Sequence, residues 1–294
     1  MLTPPPVSGP ITISWSEIDS FRQCPFKWRL GYAERWVEPE TSPALTKGIL
    51  WHKVLEIHYN ILANGGTLGE CIERIQAYLN YDESGWAELV AWMYNGYIQY
   101  WQEEDRRLDF IQAETKLDLP LIPGLVNIKC RLDLLCRDWD GMLWMWDHKS
   151  CRNLPNKKET DLDDQFALYQ WMINQSGQFG KIFGVIHSAS RTFRTSTDAV
   201  QSLESRFTRI KMVRSDQELD TMIQEIQSTA LDILSAYQNL DKLETMVTPR
   251  HPDPDRCKWR CGFTSPCLLG RTTTPERTRE MLAELGFHQD YTRH

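Results

Sequence analysis

Residues 129–150 read Lys-Cys-Arg-Leu-Asp-Leu-Leu-Cys-Arg-Asp-Trp-Asp-Gly-Met-Leu-Trp-Met-Trp-Asp-His-Lys-Ser, and this stretch decides the fold. Apolar and polar residues alternate on both sides of Asp-Trp-Asp-Gly (138–141), which is a strong signal for a β-hairpin. Because side chains alternate between the faces of a strand, Asp133 lies on the polar face of the first strand. Asp147 and Lys149 share a face of the second strand. The hairpin therefore predicts that two carboxylates and one ammonium group converge at one end of a sheet.

Carboxylates that are brought together repel each other, and a divalent cation bound through oxygen ligands usually relieves the repulsion. Two solvated charges on an exposed hairpin face are nevertheless the simpler explanation of an isolated Asp-x-Lys tripeptide. The other motifs of the chain decide between these interpretations.

Length and composition limit the class of protein. The 294 residues, 41% of them hydrophobic, suit one large or two smaller globular domains with a substantial core. No apolar run is long enough to cross a bilayer and the N-terminus lacks a signal-peptide layout, so we expect a cytoplasmic protein without a membrane partner. The net charge of −7 argues weakly against nonspecific polyanion binding, yet residues 181–214 and 250–279 are locally basic. These segments suit either a nucleic-acid partner or an ordinary solvated face.

The N-terminal part begins with a Pro-rich stretch, residues 1–13, that we expect to be poorly ordered. Ser14-Trp-Ser-Glu17 then carries a capping-box signature, which predicts a helix start. Cys24-Pro25 should break this helix, because proline restricts its predecessor and lacks a backbone donor.

A second predicted helix, residues 44–63, places Gly48, His52 and Glu56 on one face. A histidine on a helix is more often a satisfied structural residue than a ligand, and the spacing alone leaves both roles open. Two aromatic-rich helices follow, whose side chains fill a core or stack on bases.

The central part alternates strands and helices. Strand character begins near Phe110, and a helix over residues 160–176 places Gln165 and Tyr169 one turn apart. A second capping box at Ser215 opens a long amphipathic helix.

Three of the eight cysteines lie close together near the C-terminus, at Cys257, Cys261 and Cys267. Thiolates at this density commonly hold zinc or an iron–sulfur cluster, and three ligands leave either site incomplete. Cys24 is the natural fourth ligand because of its kinked setting. The other cysteines are assigned to core packing (Cys71, Cys130 and Cys136) or left undecided (Cys151).

The order of these motifs resembles the PD-(D/E)XK nuclease superfamily, in particular its RecB-like exonucleases with a four-cysteine iron–sulfur cluster. Phage exonucleases, AddB-type repair subunits and CRISPR-associated RecB-like nucleases share this plan. The resemblance covers roughly residues 14–270. It rests on the Cys-Pro helix at Cys24, Gly48-Ile-Leu-Trp-His52-Lys-Val-Leu-Glu56, Asp133, Asp147-His148-Lys149, Gln165-Phe-Ala-Leu-Tyr169 and the C-terminal cysteines. The spacing Cys257-x-x-x-Cys261 departs from the family, which often has two intervening residues.

The resemblance implies a restriction-endonuclease-like α/β fold, in which helices flank a central mixed sheet and an iron–sulfur cluster joins the N- and C-terminal segments. It also implies four segments. They are a disordered N-terminus (1–13), a helical region with Cys24 and His52 (14–109), the nuclease core (110–245) and a C-terminal cysteine segment with a helix (246–294).

For function, the resemblance implies a metal-dependent DNA exonuclease that acts on single-stranded or end-containing DNA. Its cation, Mg²⁺ or Mn²⁺, would be held by His52, Asp133, Asp147 and the main-chain carbonyl of His148. Lys149 would orient the attacking water, and Gln165 and Tyr169 would position the substrate or brace Lys149. Glu56 and Glu114 are additional or outer ligands, and Cys24, Cys257, Cys261 and Cys267 would hold a 4Fe–4S cluster, with zinc as the alternative occupant.

Two other functions compete with this one. The first is a non-catalytic DNA-binding or adaptor subunit that keeps the fold and the cluster. Intact His52, Asp133, Asp147 and Lys149 argue against it, since inactivated members usually lose one of them. The second is a zinc-stapled protein whose Asp-x-Lys has no catalytic role. The sequence predicts no oligomeric state.

Overall fold

The computed structural model describes residues 9–192, 202–240, 248–259, 261–270 and 274–292. The chain divides into two compact units. The core unit comprises Ser42–Leu119 and Cys130–Ile223, and the terminal unit comprises Met1–Thr41, Pro120–Lys129 and Gln224–His294. Within the described ranges, no helix has both the length and the apolar character that a membrane span requires.

The helices and strands of the described ranges are numbered in chain order. The helices are α1 (Trp15–Gln23), α2 (Pro25–Trp28), α3 (Pro43–Ala63), α4 (Leu68–Asn80), α5 (Ala87–Asp105), α6 (Lys157–Asp161), α7 (Asp164–Ser176), α8 (Asp216–Gln238), α9 (Pro254–Trp259), α10 (Thr264–Leu269) and α11 (Pro275–Glu284). The strands are β1 (Ile11–Ser14), β2 (Trp36–Val37), β3 (Asp109–Ile122), β4 (Val126–Arg137), β5 (Leu143–Cys151), β6 (Gly184–Arg191), β7 (Phe207–Met212) and β8 (His288–Gln289).

The sheet of the core unit runs in the order β3-β4-β5-β6-β7. It is mixed, because β4/β5 and β6/β7 are antiparallel whereas β5/β6 is parallel. Helices α3, α5, α6 and α7 pack against its strands. The predicted α/β fold, a mixed sheet flanked by helices, is thereby confirmed.

The predicted hairpin is formed by β4 and β5, with Leu134 opposite Trp146. Gly141 in its turn has a φ of +77°, a conformation that residues with a Cβ atom rarely adopt. The carboxylate of Asp138 accepts a 2.9 Å hydrogen bond from the backbone N–H of Met142, which closes the turn. Turn chemistry and side-chain alternation thus set the hairpin register.

The core of this unit lies between α3, α4 and α5 and the sheet. Trp51, Tyr59, Tyr97 and Trp146 are among its fully buried side chains. Core packing, rather than base stacking, therefore accounts for Tyr97 of the aromatic-rich helix α5.

In the terminal unit, β1 pairs in parallel with the first residues of β4, from Ile11 opposite Val126 to Ser14 opposite Lys129. Ile11 is buried and Thr12 is exposed, an alternation that suits a strand with one covered face. This strand occupies part of residues 1–13, which we expected to be poorly ordered. Residues 1–8 lie outside the described ranges.

Helix α1 begins after Ser14, as predicted, but the capping box does not form, because the Ser14 side chain makes no capping bond. Glu17 is buried and accepts hydrogen bonds from Trp28 Nε1 (3.0 Å) and the Tyr237 hydroxyl (2.7 Å) instead. Burial raises the pKa of Glu17 more than these bonds lower it. A local sequence pattern cannot show that distant residues will bind the capping carboxylate.

Two helix boundaries lie next to predicted site residues, one at Cys24 and one just before Gln165. The predicted break at Cys24 is confirmed, since α1 ends at Gln23 and α2 starts at Pro25. The helix predicted over residues 160–176 is instead two helices, α6 and α7. The first ends at Asp161, and Asp163 caps the second, because its side chain accepts a 2.9 Å bond from the Gln165 N–H. The predicted boundary between residues 245 and 246 lies outside the described ranges.

Candidate active site

The hairpin and two helices of the core unit bring the predicted catalytic side chains into one connected group. Strand β4 carries Asp133, and β5 carries Asp147 and Lys149. Helix α3 supplies His52, and α7 supplies Gln165. Because β4 and β5 are adjacent strands, residues 14 positions apart in the chain meet at the open end of the hairpin.

Asp133 is held from two sides. Its Oδ2 accepts a 2.6 Å hydrogen bond from the backbone N–H of His148, and its Oδ1 lies 3.5 Å from Nδ1 of His52. Burial raises the pKa of Asp133, but the hydrogen bond and charge of His52 outweigh it, so the pKa lies below its usual value. Burial likewise opposes protonation of His52, yet Asp133 and Asp147 together raise its pKa. Asp133 is therefore an ionised carboxylate beside an imidazole.

Asp147 and Lys149 form an ion pair, with Nζ 3.1 Å from Oδ2 and 3.2 Å from Oδ1. Asp147 is 3% exposed, and burial raises its pKa to about 6, against the opposing charge of Lys149. Burial would lower the pKa of Lys149, but the charges of Asp147 and Asp133 outweigh it and raise the pKa. Lys149 therefore carries a positive charge at neutral pH and is a hydrogen-bond donor, not a base.

Lys149 is also braced by α7. Its Nζ donates a 3.1 Å bond to Oε1 of Gln165, and Nε2 of Gln165 donates a 2.8 Å bond to the Tyr169 hydroxyl. Burial raises the pKa of Tyr169, so this hydroxyl stays protonated. The one-turn spacing of Gln165 and Tyr169 thus forms the predicted chain of contacts that ends on Lys149.

A comparison with protein-family models now decides the family. The model of the PD-(D/E)XK nuclease superfamily matches residues 12–268. The chain belongs to the PD-(D/E)XK nuclease superfamily. Its Asp147-His148-Lys149 carries the D-x-K part of the signature, and Asp133 stands on the preceding strand.

Two solved structures resemble this nuclease-superfamily chain. One is a crystal structure from Eubacterium rectale of a protein provisionally named an exonuclease, with 12% identity, a TM-score of 0.50, and coverage of 85% of this chain and 93% of that chain. At this identity the likeness shows the fold alone. The second, of the protein SSO0001, has 14% identity and covers 88% of this chain and 86% of that chain, with a TM-score of 0.37. A comparison with curated protein sequences finds no match.

Glu114 completes a group of three side chains that could hold a metal ion in this PD-(D/E)XK nuclease. One ligand atom from each of His52, Glu114 and Asp133 lies within 4.8 Å of the other two. Glu114 has a φ of +55° inside strand β3, a conformation that costs a non-glycine residue about 1–3 kcal/mol and often marks a functional position. Burial raises its pKa, and the nearby charge of Asp133 adds to the effect. Mixed oxygen and imidazole donors with this spacing fit a divalent cation.

Two of the predicted ligand side chains, Asp147 and Glu56, lie outside this group of His52, Glu114 and Asp133. Glu56 pairs with Lys53 at 2.7 Å, and it acts on the site through its charge, which raises the pKa of Glu114. The His148 ring is 2% exposed and stacks on Tyr59, with 5.4 Å between ring centroids and 8° between planes. The prediction for His148 concerns its main-chain carbonyl, not this ring.

Arg131 and Tyr59 also lie next to the site, although neither is among the site residues predicted from the sequence. Arg131 Nε lies 2.7 Å from Glu114 Oε2, and the alternation of β4, which puts Arg131 on the same face as Asp133, could have identified it. Tyr59 follows His52 by seven positions, two helical turns, and therefore shares its face of α3.

The four predicted cluster ligands come together in the terminal unit. Cys24, Cys257, Cys261 and Cys267 line one cavity of about 400 Å³. Aromatic side chains, including Phe263, pack beside three of the thiols. The other cysteines are Cys71 and Cys136, both fully buried as predicted, the half-buried Cys130, and Cys151, whose thiol lies 3.7 Å from the carbonyl of Ser190.

Proposed function

We propose that the protein is a Mg²⁺- or Mn²⁺-dependent deoxyribonuclease of the RecB-like exonuclease group that carries a 4Fe–4S cluster. The observation that carries the proposal is the convergence of Asp133, Asp147 and Lys149 at the open end of one hairpin. Asp147 is buried and Asp133 is half-buried. Two such carboxylates beside a charged lysine are costly without a bound cation or substrate, and this arrangement is expected at a catalytic site. Membership of the nuclease superfamily supports the same chemistry.

The proposed cation ligands are His52, Asp133, Asp147 and the main-chain carbonyl of His148. Glu114 is the additional ligand, supported by its strained backbone and by its position beside His52 and Asp133. The imidazole makes Mn²⁺ more acceptable than it is in an all-oxygen site. When bound, the cation would stabilise the negative charge that builds on a scissile phosphate.

Lys149 orients the attacking water and donates to the phosphate oxygens as their charge grows. Its raised pKa keeps it protonated, so its contribution is electrostatic. Gln165 and Tyr169 hold the ammonium group in place, because a flexible lysine loses part of its effect when it is not positioned. Asp147 limits its motion from the other side.

The cysteine cavity supports a cluster more than zinc. In a tetrahedral zinc site with Zn–S bonds of about 2.3 Å, the sulfurs lie about 3.8 Å apart. Among the cysteines that the structure describes, no three sulfurs lie within 4.8 Å of one another. The four thiols are among the groups that line a cavity of about 400 Å³, which has room for a larger inorganic group. Because its ligands come from both ends of the chain, the cluster closes a very long loop.

The name of the Eubacterium rectale protein supports exonuclease action. DNA as the substrate follows from the proposed RecB-like grouping. The competing function is a DNA-binding adaptor without catalysis. Purified, anaerobically handled protein would be incubated with Mn²⁺ or Mg²⁺ and with labelled single-stranded, linear double-stranded and closed circular DNA. An exonuclease degrades linear DNA progressively from an end, spares the circle and is inhibited by a chelator. Binding of DNA without any cleavage would favour the adaptor and contradict the proposal.

A further inference from the structure

We propose that Tyr59 is a positioning residue for the active site, because its ring fixes the His148 peptide and its hydroxyl is fixed by a buried ion pair. This inference rests on the proposed function, in which the main-chain carbonyl of His148 is a cation ligand. It assigns a task to a group of buried polar side chains that the proposed chemistry does not otherwise use.

The first contact is between two rings. Tyr59 on α3 is 1% exposed, and its ring lies parallel to the ring of His148 with a centroid distance of 5.4 Å. Neither ring nitrogen of His148 has a hydrogen-bond partner among the described residues. Packing against Tyr59 and the edge of Trp146 therefore sets the orientation of the His148 ring.

The second contact anchors Tyr59 itself. Its hydroxyl lies 2.6 Å from the Tyr97 hydroxyl and donates a 3.3 Å bond to Asp105. Arg209 donates to the same carboxylate at 2.6 Å and to Tyr97 at 3.1 Å. The Tyr59 hydroxyl thus bonds directly into a charged, hydrogen-bonded network.

Arg209 allows this network little freedom. Its side chain is 3% exposed, and its guanidinium lies over the rings of Trp101 at 3.9 Å and Trp146 at 4.2 Å. A buried charge that is paired with a carboxylate resists rearrangement, since separating Arg209 from Asp105 would leave this buried carboxylate without its counter-ion. The network therefore acts as a rigid support for Tyr59.

The support ends at the proposed ligands. The His148 N–H donates its 2.6 Å bond to Asp133, and the same residue joins Asp147 to Lys149 along β5. A change in the orientation of the His148 ring would move the backbone of His148. It would thereby shift the N–H that binds Asp133, the carbonyl that is proposed as a cation ligand, and the neighbouring residues Asp147 and Lys149. Loss of such outer support commonly weakens metal binding or activity about 10- to 100-fold.

The test uses Tyr59→Met, which fills the space without a flat ring, and Tyr59→Phe, which keeps the ring but lacks the hydroxyl. The matched control is Tyr94→Met, because Tyr94 is equally buried in the same core but bonds to His58 instead. The measurements are hydrogen exchange of the His148 amide by NMR in the metal-free protein, the dissociation constant of Mn²⁺ by calorimetry, and the melting temperature. If Tyr59→Met does not fold, Tyr59→Leu takes its place.

We expect Tyr59→Met to weaken Mn²⁺ binding about 10-fold or more and to speed exchange of the His148 amide. Tyr59→Phe, which keeps the ring but releases it from the Asp105–Arg209 network, should change both quantities in the same direction by a smaller amount, and Tyr94→Met should lower the melting temperature without changing either. Equal Mn²⁺ affinity and equal amide exchange in Tyr59→Met and Tyr94→Met would overturn the inference while the proposed function stands. If the wild type neither binds Mn²⁺ nor cuts DNA, the proposed function fails, and amide exchange still decides whether Tyr59 positions His148.

Discussion

The backbone N–H of His148 donates a 2.6 Å hydrogen bond to Oδ2 of Asp133, just beyond the last paired residues of the β4–β5 hairpin. Leu134 and Trp146 are the final pair. The carboxylate of Asp133, one residue beyond this pair on β4, therefore takes the place of a backbone acceptor for the N–H of His148, two residues beyond it on β5. Asp133 is in this way tied to the backbone of the Asp-His-Lys tripeptide. The geometry links one proposed ligand, Asp133, to the residue whose main-chain carbonyl is proposed as another.

His148→Phe should leave catalysis and folding intact. The imidazole is buried and unpartnered, and burial lowers its pKa to about 3, so it is neutral. Phenylalanine keeps the stack on Tyr59 and removes two unsatisfied buried nitrogens, which should stabilise the fold by about 1 kcal/mol. Urea denaturation and initial cleavage rates check this. A well-folded variant that has lost most of its activity would mean that the ring itself is a ligand.

His52→Ala should weaken Mn²⁺ binding and cleavage together, by about tenfold or more, with little change in melting temperature. The His52 side chain is 30% exposed and contacts Asp133, so its loss opens no large core cavity. Calorimetry with Mn²⁺ and thermal unfolding measure the two effects separately, and exposed His288, changed to Ala, is the control. Unfolding of the variant with unchanged Mn²⁺ affinity in the folded fraction would favour a structural histidine.

Stability should fall as the pH drops from about 6.5 towards 4, partly through His58. Burial, aided by the charge of Arg209, lowers the pKa of His58 from 6.5 to about 4. Within this range the unfolded chain binds a proton that the folded protein does not, so each pH unit costs up to about 1.4 kcal/mol. Above pH 6.5 the effect vanishes. Urea denaturation at pH 7, 6 and 5 should show that the free energy of unfolding depends less steeply on pH in His58→Phe than in the wild type. An identical dependence on pH in both proteins would refute this role of His58.

Cys24→Ser should abolish the visible absorption of the purified protein, lower its melting temperature and expose the C-terminal segment to proteases. Ligands from both ends of the chain cannot assemble locally, so cluster formation accompanies docking of these segments. Cys71→Ser and Cys136→Ser should keep their iron, because both residues are core cysteines. Iron and sulfide analysis decides. A full iron content in Cys24→Ser would assign the fourth ligand elsewhere, and Cys151 would be tested next.

Most of the site was predictable from sequence because short-range rules control it. Strand alternation put Asp147 and Lys149 on one face, and helical spacing brought Gln165 to Tyr169. The Asp-Gly turn predicted the hairpin, and Pro25 predicted the helix break that shapes the setting of Cys24.

The remaining features depend on tertiary contacts. Glu17 does not form the predicted capping box, because its carboxylate accepts hydrogen bonds from Trp28 and Tyr237. Likewise, no local pattern shows that Arg209 will insert between two tryptophans or that Glu114 will adopt a positive φ. Such groups are fixed by the packing of several elements at once, which a single sequence does not display.

Single-turnover cleavage of end-labelled linear DNA with Mn²⁺ tests most directly whether Asp133 and Lys149 are catalytic. The proteins to compare are the wild type, Asp133→Asn and Lys149→Ala. Asp118→Asn, an exposed change on β3, is the matched control. We expect both site variants to keep the circular dichroism spectrum of the wild type but to cleave at least about a hundredfold more slowly, whereas the control should cleave normally. Folded Asp133→Asn or Lys149→Ala protein that cleaves at the wild-type rate would contradict this expectation.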